Sequence, residues 1–572
     1  MPDERRQFRV LYRDFLFRMI DLELLSERGE IQKLLGQFVA MLAALSFTFV
    51  LAGAPALAKL PLDRRMMAGW ATQEFLISTT MAIAGLFAVL AWNVVLPDRR
   101  DTLVLAPLPV RTRTLFLARI AATCSALAIG IVAVNVFTGI CFPLLFMPRG
   151  GGLLYALRSF GAYWVTMTAA GLFVFCALLS LQGVAAQVLS YGLFLRISSW
   201  LQLGAFFLIL GVYFLTPPLA SPRAITAPEN QRLLASLPSF WFLGLFQQLS
   251  GAAHPAFAPL AERALGGLII SSLVVAVTKA LVYRRTMRSV IEQPDIAPGD
   301  RSRPVSRIAR YLAAKLLPNS LERAVVLFIV RTLARSRQHR LVLALYAGAG
   351  LAIALAYAKS LLYGYSRMRW DHVNVPFLIG SLVVLCFAVL GARMVFSLPV
   401  SLPANWIFRI TAVHSPTAYY DAIRKALFAI TAGPVWIAFA ILYVTIWPSL
   451  PALQHVAVLV LVGIGLVEGS LDGFRKIPFA CSYLPGKANL NTRLGIFGIL
   501  FICMAEIGVQ IEYWAMRGPA RFVVMIGTLL GVAIWARRRR AEFASAPHTP
   551  IQFEDVPPEE LLVLDLQGKT AM

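Results

Sequence analysis

The stretch VLPDRRDTLVLAPLPVRTRTLFLARI, residues 95–120, lies between two long apolar runs. It turns polar over Asp98, Arg99, Arg100 and Asp101, becomes briefly apolar, and meets Pro107 and Pro109. It then gathers Arg111, Arg113 and Arg119 and becomes apolar again. The central apolar patch is too short to cross a bilayer, which takes roughly 20 residues of helix. About one and a half helical turns fit between Asp101, a capping residue type, and Pro107, which stops a helix. On residue chemistry alone this is a re-entry turn anchored at the membrane interface. Arg111 and Arg113 suit lipid phosphate or an acidic protein surface.

The runs on either side belong to a series. Of 572 residues, 58% are hydrophobic and 14% charged, against roughly 25% charged in a soluble domain. Apolar runs long enough to cross a bilayer recur at 34–58, 73–96, 119–146, 160–181, 198–216 and 263–283. After a basic stretch they recur at 341–358, 375–397, 426–447, 454–473, 494–514 and 520–536. The expected fold is an all-α polytopic membrane protein of about twelve transmembrane helices. An even number puts both termini on one side. The basic N-terminus and ARRRR at 536–540 place that side in the cytoplasm of a cell (inner) membrane.

The net charge of +24 does not imply nucleic acid. On these spans 40 of the 53 Lys and Arg fall on one side and 13 on the other, the asymmetry of any multi-pass protein. No aromatic-interleaved basic groove is visible.

The chain divides into two six-helix halves. Residues 1–33 carry seven basic residues, with Phe8, Leu11, Phe15, Met19 and Leu22 at helical spacing, which reads as an amphipathic cytoplasmic helix on the membrane surface. Residues 34–284 hold the first half and 285–340 a basic cytoplasmic linker. The linker contains QPDIAPGDRSRPVS and a second amphipathic lead-in helix, LERAVVLFIVRTLARSRQHR. The second half spans 341–536, and 537–572 is a cytoplasmic tail, acidic toward its end. LPVRTRTLFLARI at 108–120 aligns ungapped with LPVSLPANWIFRI at 398–410, with five of thirteen positions identical. Both copies follow the second run of their half and introduce the third. Such a 6+6 plan is common among transporters, with the path between the halves.

The loop at 97–118 resembles the loop after the second span in permeases of the type-two ABC exporter superfamily, including bacterial putative ABC exporter membrane proteins. Asp98, Asp101, Leu103, Leu105, Leu108, Pro109, Arg111 and Arg113 carry the resemblance. It implies a coupling helix that docks on a separate ATPase subunit. Pro399, Asn405, Trp406 and Arg409 mark a second such loop, which lacks the acidic lead and the basic pair. LPSFWFLGLFQQLSG at 237–251 resembles the stretch before that family's last span, and by itself reads as an aromatic interfacial anchor. KIPFACSYLPGKANLNTR at 476–493 reads as an ordinary inner loop, though it resembles a motif of uncharacterised bacterial permeases.

ATP chemistry needs GxxxxGK[ST] opening a helix. PGKAN puts Ala488 after Lys487, and QGKT at 567–570 has Val563 in place of the first Gly. The expected chain is therefore no enzyme and carries no catalytic residue, cofactor or metal. ATP and Mg belong to partner ABC ATPase subunits. The other expected partners are the lipid bilayer and further membrane subunits. The implied function is the permease subunit of an ATP-driven exporter.

Inside the membrane, Glu506 is the candidate pathway residue, since an intramembrane carboxylate is costly and should face the bundle or a cavity. Asn93 or Asn135 could pair with it. Glu468, Asp472 and Lys279 sit near inner ends, where snorkelling explains them. Gln182 and Gln187 read as markers of a helix end. The six cysteines and six histidines are scattered, without CxxC or HExxH. An ion-coupled secondary transporter remains an alternative, though it would need clustered intramembrane charges. So does a membrane enzyme, for which His254, Asp371 and His372 offer no recognisable geometry.

Overall fold

A computed structural model of the chain describes residues 2–20, 31–59, 61–92, 111–145, 152–251, 255–292, 315, 317–362, 371–400, 416–472, 474, 476–479 and 490–545. Among these the chain is helical with no strand, as an all-α polytopic membrane protein requires. Backbone polar groups in hydrocarbon must be paired within the segment, and a helix does this residue by residue.

Nine helices among the described residues are long and apolar enough to cross a bilayer. The apolar runs at 34–58, 198–216 and 494–514 also lie in helices, at Ile31–Ala58, Tyr191–Leu215 and Leu490–Ala515. Large apolar side chains stay exposed along the long helices, among them Leu154 at 81% and Val523 at 69%. Burial inside the protein cannot account for such residues, and lipid contact can.

Two compact units emerge, the first mainly residues 1–301 and the second mainly 302–347, 371–483 and 487–572. In the first, α1 (Pro2–Ile20), α2 (Ile31–Ala58) and α3 (Leu62–Leu90) precede α4 (Thr112–Asn135) and a short α5 (Thr138–Leu145). Then come α6 (Leu153–Val188), α7 (Tyr191–Leu215), α8 (Pro238–Ser250) and α9 (Ala258–Glu292). The stretch at 237–251 is the short helix α8, and its Phe240, Phe242 and Leu243 are wholly buried against α9 and α6. The first unit's main core gathers on this helix.

The second unit contains α10 (Ser320–Arg335), the start of α11 (Arg337–Leu362), α12 (Val375–Phe396) and α13 (Pro416–Leu427). A π-turn at Phe428–Ala432 leads into α14 (Gly433–Ile446), followed by α15 (Ser449–Ser470), α16 (Leu490–Ala515) and α17 (Pro519–Ser545).

Each unit uses the same internal pairings. The lead-in helix packs on the helix after the second run's loop, as α1 on α4 and α10 on α13. The second run packs on the fourth and fifth, as α3 on α6 and α7, and α12 on α15 and α16. The fourth packs on the sixth, as α6 on α9 and α15 on α17. In both, the third run is irregular, broken between α4 and α5 and wound into the π-turn between α13 and α14. Small residues permit the close approaches. A Cβ on Gly171 would meet Ile131 Cδ1 at 2.6 Å, and one on Gly463 would meet Trp436 at 2.7 Å.

Candidate functional site

The loop at 97–118 leaves α3 and re-enters through α4. Asp98, Asp101, Leu103, Leu105, Leu108 and Pro109 lie outside the described residues, as do Asn405, Trp406 and Arg409 of the second loop and His254. The points where these loops meet the bundle are described, and they are tightly held.

The end of α3 is pinned from two neighbouring helices. Gln182 Nε2, on α6, donates to the Trp92 carbonyl at 2.5 Å. Gln202 Nε2, on α7, donates to the Val89 carbonyl at 2.6 Å. The last carbonyls of a helix have no partner within it, and these amides supply one. Trp92 Nε1–H donates to Ser198 Oγ at 2.9 Å. Gln182 is wholly buried, six residues before the end of α6. Its role is to cap a different helix, and marking the end of its own does not describe it.

The start of α4 is held by α1. Leu11 and Phe15 bury against Leu115, Ala118 and Ala122. Tyr12 O–H donates to Ser125 Oγ at 3.0 Å, and the Arg119 guanidinium lies 4.8 Å from the Phe15 ring centre. Arg111 pairs with Glu4 at 2.5 Å across exposed surface. The apolar stripe expected to rest on lipid thus covers another helix, because Ala118 and Ala122 leave a shallow groove for Phe15. Arg113 is exposed.

The second unit holds its equivalent exit differently. Arg393, near the end of α12, is buried and stacks over the Phe474 ring at 4.4 Å. Its Nε donates to the Ser470 carbonyl at 2.8 Å and its Nη1 to Ser397 Oγ at 2.6 Å. Pro399 is half-buried at the described edge of the loop. Its neighbour Val400 donates its N–H to the Phe479 carbonyl at 2.8 Å, and the Phe479 N–H donates to the Phe396 carbonyl at 3.4 Å. Phe479 adopts φ 64°, an unusual conformation for an aromatic residue. Its buried ring, packed on Phe328, His339 and Phe396, holds it there. His339 Nε2–H donates to the Leu398 carbonyl at 2.9 Å, since a carbonyl can only accept. The start of the stretch at 476–493 is thereby fused to the second loop, which an ordinary inner loop would not be.

Ion pairs tie the same region together. Lys425 of α13 meets Glu322 of α10 at 2.5 Å, and Arg424 meets Glu468 of α15 at 3.2 Å. Glu468 is buried. Snorkelling does not describe it, because its carboxylate points into the bundle toward an arginine. Asp472 is exposed and lies 3.8 Å from Arg539.

Polar clusters occupy the interiors of both units. In the first unit, Asn135 Nδ2 donates to Thr80 Oγ1 at 3.0 Å, and Tyr163 O–H is 2.8 Å from Asn135 Oδ1 and 3.0 Å from Thr138 Oγ1. Ser46 Oγ accepts the Thr138 N–H at 3.1 Å. These bonds bridge the break between α4 and α5, and they use the amide offered above as a partner for Glu506. In the second unit, Ser381, His455 and Glu512 form a buried line. Ser381 Oγ lies 2.8 Å from His455 Nε2, and His455 Nδ1 lies 2.7 Å from Glu512 Oε1.

Glu506 stands on an exposed face of α16 beside exposed Cys503, Met504, Ile507 and Gln510. Asp371 and His372 pair at 2.9 Å on the surface. Among the described residues, no group of His, Cys, Asp and Glu has the arrangement to hold a metal ion.

No known protein family, curated protein or solved structure matches this chain.

Proposed function

We propose that the chain is the membrane permease subunit of an ATP-driven exporter. In this reading all twelve apolar runs cross the membrane as two six-helix halves, with both termini cytoplasmic in an inner membrane. A separate ABC ATPase holds ATP and Mg and docks on the loop at 97–118. The observation that carries the reading is the clamping of both ends of that loop. Gln182 and Gln202 hold the exit of α3, and α1 holds the start of α4. A push on such a loop is delivered to helices instead of being absorbed. The shared pairing pattern of the two halves supports a rocking motion that exposes a path to alternate sides, with Glu506 on one of the surfaces that line it.

The test is to express the chain with candidate ABC ATPases, and to compare wild type with Arg113→Glu. The proposal expects co-purification and ATP-dependent transport in vesicles, with the variant losing at least tenfold in partner recovery. Recovery and transport unchanged by the variant would take the loop out of the mechanism.

A further inference from the structure

We propose that Ser381, His455 and Glu512 form a proton-binding site inside the second half. His455 is wholly buried, Ser381 equally so, and Glu512 is 2% exposed. They come from three helices, α12, α15 and α16. His455 lies six residues into α15, about 9 Å from its start at 1.5 Å per residue. This is the end of the bundle opposite Arg393 and Glu468, which stand near the far ends of α12 and α15.

The hydrogen-bond inventory defines the site. Ser381 O–H donates to the Leu378 carbonyl at 2.9 Å. A hydroxyl has one hydrogen, for which the Leu378 carbonyl, His455 Nε2 and the Tyr443 hydroxyl compete. In the form where the carbonyl takes it, Ser381 Oγ accepts from His455 and Nε2 carries hydrogen. The 2.7 Å contact between Nδ1 and Glu512 Oε1 then requires a second hydrogen, whichever of the two atoms holds it. The His–Glu pair in this form is neutral overall. When one proton leaves to water, the remaining ring hydrogen belongs on Nδ1, because the carboxylate can only accept. Nε2 becomes an acceptor, and Ser381 O–H turns from the Leu378 carbonyl to meet it. Only N–H and O–H bonds are made or broken. The same heavy atoms satisfy both forms, which differ by one proton and one hydroxyl rotation.

The surroundings make the difference consequential. Tyr443 of α14 stacks on Trp447 at 4.3 Å and meets the His455 ring edge-on at 5.1 Å. Its O–H is donated to the Phe377 carbonyl at 2.7 Å. Among the described residues, the titratable groups facing the imidazole are Glu512 from α16 and Tyr443 from α14, while α12 presents only Ser381. Arg517 and Arg521 are turned onto Tyr513 and Trp514 at 4.9 and 4.3 Å. Without its proton the pair leaves a net negative charge in an apolar bundle, which is costly. The deprotonated form therefore favours an arrangement that brings water to Glu512. Through α12 and α15 that change reaches Arg393 and Glu468 at the loop end. The order Ser–His–Glu matches a hydrolytic triad, but Ser381 is wholly buried, out of reach of a substrate.

The test uses the full chain in lipid nanodiscs, labelled with ¹⁵N in its six histidines. His455→Gln identifies the His455 signals by their loss. The proposal expects hydrogen on both ring nitrogens, or on Nε2 with Glu512 protonated, at the acid end of the titration. At the alkaline end it expects hydrogen on Nδ1 alone. Wild-type spectra in which no histidine carries hydrogen on Nδ1 alone at the alkaline end would overturn the proposal, whether or not any variant folds. A Glu512→Gln protein whose His455 titrates as in wild type would overturn the pairing. Neither readout involves the ATPase.

Discussion

Gln182 Nε2–H and the Trp92 carbonyl oxygen meet at 2.5 Å, though ninety residues of chain separate them. The bond joins two helices at the place where the chain leaves the bundle for the loop at 97–118. Replacing Gln182 by Leu leaves a buried carbonyl without its donor. The expected loss is about 1–3 kcal/mol, read as lower thermal stability in lipid or detergent. Gln202→Leu is expected to cost less, because the Val89 carbonyl also accepts the Trp92 N–H at 3.4 Å. Wild-type stability in both would mean that the carbonyls find other donors and that the exit of α3 is not pinned by these amides.

Phe15, 2% exposed, is buried with Leu11 in the apolar contact between α1 and α4. Phe15→Ala is expected to cost about 3–5 kcal/mol at that contact, more than a short surface helix can lose and stay docked. Limited proteolysis should then remove the N-terminal segment at least tenfold faster while leaving the later helices intact. Cleavage at the wild-type rate would show that α1 is held chiefly by other means, such as the bilayer.

Arg393 binds a main-chain oxygen, a hydroxyl and an aromatic face together. Arg393→Lys keeps the charge but cannot reproduce the planar fork and the stacking. The substitution is expected to destabilise by about 2–3 kcal/mol. Arg393→Met should cost as much or more, since Ser470 and Ser397 lose their donor. A lysine variant as stable as wild type would mean that charge alone is what this site needs.

Tyr163, in reach of both Asn135 and Thr138, bridges the break between α4 and α5. A double-mutant cycle of Tyr163→Phe with Asn135→Ala should give a coupling of about 0.6–1.7 kcal/mol, the range for polar contacts between membrane helices. Additive effects would remove the network as the support of that break.

Length and composition were enough to read the helical, multi-pass class, because crossing hydrocarbon constrains every residue of a run. The clamps were not legible. Gln182 and Gln202 look like ordinary polar residues near a run's end, since their acceptors are carbonyls about ninety and 113 residues away. Glu506 drew attention because it is central in its run, yet Glu512, six residues later, is the buried carboxylate. Position along a helix gives depth, but the face it turns inward depends on which helices surround it. A single histidine within an apolar run was a usable signal for His455. Its partners could not be named without the packing of α12 and α16.

The central claim is that work enters at the loop between α3 and α4. The most direct measurement places Leu105→Cys in a background without the native cysteines, in membranes that also contain the ABC ATPase that co-purifies with the chain. The account predicts a cross-link to that ATPase, and loss of transport when the link is closed. Labelling of the introduced thiol by a membrane-impermeant reagent from the outer face, or transport by the chain in the absence of any ATPase, would contradict it.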